Sequence, residues 1–160
     1  MLVELAREDH KILRRLDARV ELASPPQELA AATRQAIADA TAFDERDANR
    51  NFRYDYEAYG EVKRNLSRLI DLRELHLTME LSLELMQQGS HQVEMSDEGL
   101  MTDDIAECLR VVFPALQQCS LPAAEILEWC AKMTQSDQVG FICDRDLEDM
   151  RKHLQASQRQ

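Results

Sequence analysis

Glycine and proline are scarce, four of each in 160 residues, so the chain is short of the tight turns from which an all-β domain is assembled. Aromatic residues make up 5% of it, and no apolar run approaches the roughly eighteen residues that a membrane-spanning helix needs. The opening Met1-Leu2-Val3-Glu4 is charged and is not a signal peptide. A soluble, cytoplasmic protein with no membrane partner is expected. Cysteine is sparse too. Cys108, Cys119, Cys130 and Cys143 are spaced by eleven, eleven and thirteen residues, which fits neither a C-x-x-C pair nor a zinc ribbon. They read as reduced core residues.

Positive charge is missing from one half. Residues 1–70 carry 12 Lys/Arg against 13 Asp/Glu, whereas residues 71–160 carry 7 against 17, a net charge of −10. An acidic half repels nucleic acid and anionic membranes, so nucleic acid is not an expected partner, while the charge is compatible with a basic one.

What remains is helical periodicity, at about 100° per residue. Leu2, Leu5, Ala6, Ile12, Leu13, Leu16 and Val20 share one face of a first helix that stops at Ser24-Pro25-Pro26. Arg7, Lys11, Arg15 and Arg19 form a basic stripe opposite, read as a solvated face. Asp9 falls within the apolar face, where an unpaired carboxylate is costly; a neighbouring helix that satisfies it is the plainer reading, a functional role the other. A second helix after Pro26 aligns Leu29, Ala36, Ile37, Ala40 and Phe43 beside Ala30, Ala31 and Ala32. Residues 44–53 lose the period and are expected to be flexible.

A third helix turns Tyr59, Val62, Leu66, Leu69 and Ile70 inward. A fourth has two apolar faces, one with Leu72, Leu75, Met79, Leu83 and Met86 and one with Leu77, Leu81 and Leu85, which places it mid-stack. Gln87-Gln88-Gly89-Ser90 reads as its glycine cap, and residues 90–102 as a flexible connection. Thr102 or Asp103 caps a helix carrying Ile105, Cys108, Leu109, Val112, Leu116 and Cys119, kinked at Pro114 unless the helix restarts there. Ser120 caps the next, with Pro122 in its first turn, Ile126, Leu127, Cys130 and Met133 inward and Trp129 on the flank. The last begins near Asp144 and closes with Arg151, Lys152 and His153.

The fold expected is all-α: about seven helices in consecutive antiparallel pairs, an irregular α-α superhelix or bundle, forming a single domain over residues 1–160. Leu5-Ala6-Arg7-Glu8-Asp9 with Leu13 and Leu16, Asp55-Tyr56 ahead of Ala58 and Tyr59, and the stretch from Leu66 to Gly89 resemble the helical region that follows a SWIM-type zinc finger in certain bacterial proteins. The resemblance implies an α-solenoid of tetratricopeptide-like character and brings no catalytic residues. The C-x-C and C-x-H ligand pairs of the finger itself are absent here, so its zinc and nucleic-acid roles are not inherited.

Three functional readings follow. The first is a non-catalytic protein-interaction module or adaptor that takes a protein or peptide partner and needs no cofactor. Its candidate binding residues are Arg53, Tyr56, Tyr59 and Arg64, because tyrosines beside arginines offer contact area with polar tips. A homo-oligomer is compatible with it. The second is a metal-dependent hydrolase using Glu74, Glu80 and Glu84 with His76, although the paired Glu-x-x-His motifs of di-metal bundles are missing. The third is an acidic inhibitor of a basic protein, drawn from the charge of the C-terminal half.

Overall fold

The computed structural model describes residues 25–44 and 53–159. The basic stripe, Asp9, the first stretch of the resemblance and all of the 44–53 segment except Asp44 and Arg53 lie outside them. Among the described residues every regular element is a helix: α1 Pro26–Thr41, α2 Tyr56–Asp71, α3 Leu75–Met95, α4 Thr102–Arg110, α5 Val112–Gln117, α6 Ala123–Ser136 and α7 Asp144–Gln158. None is long and apolar enough to cross a membrane.

Helix α1 starts with Pro26 in its first turn, where a missing N–H costs nothing. It buries Leu29, Ala30, Thr33, Ala36, Ile37 and Ala40, and the alanines let its axis approach α2 closely. Thr33 spends its hydroxyl on the Leu29 carbonyl at 2.7 Å, so a polar side chain sits in this seam with its hydrogen bond made. Asp55 caps α2, its carboxylate accepting the Ala58 N–H at 3.0 Å.

Between α2 and α3 the chain reverses within three residues. The Glu74 N–H donates to the Leu69 carbonyl and the Arg73 N–H to that of Ile70, both at 2.9 Å, a Schellman closure with Arg73 in the left-handed region at φ 60°. Leu72 is the cap residue of α2, 53% exposed, and so does not belong to the inner face of α3 where the periodicity places it.

Helix α3 is the central element. It packs against α1, α2, α4, α5 and α6, and its buried positions include Met79, Leu81, Leu85, Met86 and Val93 on more than one face. The expected cap at Gly89 is not there, for the helix runs through it to Met95. Gly89 serves a close approach instead: a Cβ at this position would stand 2.9 Å from Ile105 Cδ1 of α4. Residues 90–95 therefore belong to α3 and only 96–101 form the connection.

Helix boundaries depart from sequence expectation where hydrogen bonding decides them. Neither Thr102 nor Asp103 caps α4; its N-cap is Met101, and the Thr102 hydroxyl donates to the Gly99 carbonyl at 2.7 Å. The break between α4 and α5 falls at Val111, with Pro114 in the first turn of the restarted helix, where its absent N–H has no carbonyl to meet. Pro122 is the N-cap of α6 rather than Ser120, its carbonyl accepting the Glu125 and Ile126 N–H groups. Helix α7 continues past His153 to Gln158.

Trp129 is buried at 3% exposure, not on a flank, because α6 meets the core on a wider arc than its aliphatic stripe suggests. Its Nε1–H donates to the Met79 carbonyl at 2.9 Å and its ring meets Phe113 edge-on, with centroids 5.9 Å apart.

Candidate functional site

The residues singled out by sequence do not form one surface. Tyr56 is 65% exposed, and Arg64 is exposed about two turns further along α2, its Nη1 over Gly60. Arg53 is exposed at the chain's entry to α2. Tyr59 is 1% exposed and serves the core. Its hydroxyl donates to Gln92 Oε1, and Gln92 Nε2 in turn donates to the Ala40 carbonyl at 3.0 Å and the Ala42 carbonyl at 3.3 Å. One buried amide thereby satisfies the phenol of α2 and two orphan carbonyls at the end of α1. Burial holds the Tyr59 hydroxyl well above its ordinary pKa. Its carbonyl accepts the Cys108 thiol at 3.2 Å, and burial together with Asp104 pushes that thiol up to about 12.

The carboxylates of the metal reading meet other partners. Glu84 accepts Arg34 Nε and Glu80 accepts Arg34 Nη2, each at 3.0 Å, so a guanidinium occupies the space between them. These bonds raise the Arg34 pKa, that to Glu84 most. His76 Nε2 lies 2.6 Å from Glu125 Oε1. Among the described residues no group of three or more His, Cys, Asp or Glu is disposed to hold a metal ion.

A different surface has the features of a binding site. An open cleft of about 710 Å³ lies between the end of α3 with its following turn and the loop joining α6 to α7. Leu100 on one wall is 46% exposed and Phe141 on the other 56% exposed, large apolar side chains left in water and facing one space. Glu94, Asp97, Glu98 and Asp103 also line it, and among the described residues no Lys or Arg does. Arg53 and Tyr54 sit behind this wall, in a small hollow that also touches Leu100 and Met101. Tyr54 is fixed there by a 2.5 Å hydrogen bond to Asp104, and burial followed by that bond raises its pKa.

Both walls are held by local hydrogen bonds. On the first, the Ser96 hydroxyl donates to the Val93 carbonyl at 2.9 Å and accepts the Gly99 N–H at 3.0 Å. Gly99 turns the chain at φ +59°, where a side chain would be strained. On the second, the Asp137 carboxylate accepts the N–H groups of Val139, Gly140 and Ile142 at 3.1, 2.9 and 3.1 Å. The Ser90 hydroxyl ties that loop to α3, accepting the Gln138 N–H at 3.1 Å and donating to the Ser136 carbonyl at 3.0 Å. Leu100 and Phe141 are thus presented by turns with little freedom, which lowers the ordering cost of binding.

Periodicity finds core faces and is blind to this cleft, since 96–101 and 137–142 have no period. The available signal was two polar, glycine-containing stretches each carrying one large apolar residue. Comparison with known proteins leaves the geometry to stand alone, because no family model, curated protein or solved structure matches the chain.

Proposed function

We propose that this chain is a non-catalytic protein-interaction module with a polypeptide partner. The observation that carries the reading is the joint exposure of Leu100 and Phe141 across one cleft whose walls are latched by Ser96 and Asp137. Apolar side chains held rigidly in water are costly unless something covers them. The reading keeps the resemblance to helical regions that follow SWIM fingers, and with it a tetratricopeptide-like α-solenoid; a cytoplasmic setting is kept alongside it. Arg53 and Tyr56 are moved from its centre to its margin.

The test is affinity capture of the tagged chain from its native cells, compared with the Leu100→Ser, Phe141→Ser double variant. A stoichiometric polypeptide captured by the first and lost from the second supports the reading. Retention by the double variant but loss with Arg53→Ala and Tyr56→Ala would return the contact to the tyrosine–arginine surface. An empty eluate from both, with turnover in a metal-supplemented hydrolase panel, would replace the reading by the enzymatic one.

A further inference from the structure

The chemistry of the cleft also constrains its occupant. Glu94, Glu98 and Asp103 are exposed around it, and Leu100 and Phe141 are the large apolar side chains of its two walls. All five belong to the half of the chain with net charge −10. Carboxylates around a cleft with apolar walls are complementary to a segment that alternates cationic and large apolar side chains. It repels nucleic acid and anionic lipid. A second copy docking by two-fold symmetry would set the same carboxylates against each other, a like-charge contact that disfavours it. Among the described residues, His91 Nδ1 is 3.9 Å from Glu94 Oε2, and Arg53 shares with Glu98 the small hollow behind the wall.

We propose that this cleft binds a cationic amphipathic segment of another polypeptide, seating an apolar side chain between Leu100 and Phe141 while flanking Lys or Arg residues meet Glu94, Glu98 and Asp103. The inference rests on the interaction-module reading and adds the partner's chemistry. Long-range attraction brings the segment in, and the apolar contact holds it.

The experiment uses the full chain and three labelled synthetic peptides of equal length, one of Lys and Leu, one of Glu and Leu and one of Lys and Ser, followed by fluorescence anisotropy at low and high salt. Saturable binding of the Lys–Leu peptide alone is expected, weakening with salt. Glu98→Lys with Asp103→Asn should raise its Kd about tenfold, and Leu100→Ser with Phe141→Ser by at least as much. All four side chains are on the surface, and circular dichroism verifies that the variants fold. Equal binding of the Lys–Ser peptide would reduce the contact to bare charge and overturn the proposal, as would equal binding of the Glu–Leu peptide. Lys–Leu binding indifferent to every cleft variant would also overturn it while leaving the interaction-module reading in place. If no peptide binds and the chain sediments as a dimer that Phe141→Ser dissociates, the occupant is a second copy and the proposal fails. If no peptide binds and the chain is monomeric, the proposal fails, and the capture experiment above decides separately whether the module reading falls with it.

Discussion

Arg73 holds a backbone conformation that suits glycine. Its φ of 60° closes α2, and the two Schellman hydrogen bonds from Arg73 and Glu74 keep it there. A left-handed L-residue costs on the order of 1–2 kcal/mol, part of which glycine returns as unfolded-chain entropy. Arg73→Gly should therefore raise the stability by about 0.5–1 kcal/mol, read as a shift in the urea midpoint at constant slope; an unchanged or lower midpoint would mean that the Arg73 side chain carries an interaction worth as much as the strain. Gly89 is the opposite case. Alanine there gains helix propensity of about 1 kcal/mol but drives a methyl to 2.9 Å from Ile105 Cδ1 and 3.1 Å from Ile105 Cγ1. Overpacking costs about 1–3 kcal/mol in a filled core. Gly89→Ala is expected to destabilise by about 1 kcal/mol net, and Ile105→Val, which deletes the nearest carbon, should recover much of that in the double variant. Equal losses with and without Ile105→Val would place the strain in some other contact.

Helix positions were legible in the sequence because apolar spacing and prolines bound them, and the two-faced pattern of Leu75, Met79 and Leu83 against Leu77, Leu81 and Leu85 already placed α3 among its neighbours. The ends were less legible. Gly89 resembles a cap in sequence, since a residue chosen to turn the chain and one chosen to admit a neighbouring helix are the same residue. Tyr59 reads as inward and as half of a tyrosine–arginine pair, and only packing separates those roles. Gln92 was invisible: a polar residue in a stretch read as connection becomes the buried link among α1, α2 and α3 once α3 extends to Met95. Its replacement tests whether that link matters. Gln92→Leu keeps the bulk but leaves the Tyr59 hydroxyl and the Ala40 and Ala42 carbonyls without this partner. A loss of about 2–4 kcal/mol is expected from several unsatisfied buried groups, against about 1 kcal/mol for Tyr59→Phe, which leaves the carbonyl bonds intact. Similar losses for the two would show that the bonds to α1 contribute nothing.

The whole molecule has a thiol order that reports on its global stability. Cys108, Cys130 and Cys143 are buried and Cys119 is half-buried. Burial pushes the three buried thiols up to about 12, 11 and 12 respectively from an ordinary value of 9.0, with Asp104 adding to the rise at Cys108 and Asp146 at Cys143, while Arg151 opposes it at Cys130. Since the thiolate is the nucleophile, an aromatic disulfide reagent at neutral pH should label Cys119 first, with the other three following only as fast as the fold opens. Equal rates for all four in the native chain would contradict the packing of α4, α6 and the start of α7. The same shifts set an alkaline limit. Each buried thiol keeps its proton in the folded chain at a pH where the unfolded chain has lost it, so the unfolded state binds fewer protons and stability falls as pH rises. The stabilisation is fully present below about pH 9, the unfolded value, and is lost as pH climbs through 11 to 12. Charge repulsion in a chain of net charge −11 pulls in the same direction, which is why the variant comparison decides the matter. Cys108→Ala removes one raised group and leaves the net charge at neutral pH unchanged, so its stability should decline less steeply over that alkaline window than that of the parent; parallel declines would assign the alkaline loss to charge repulsion alone.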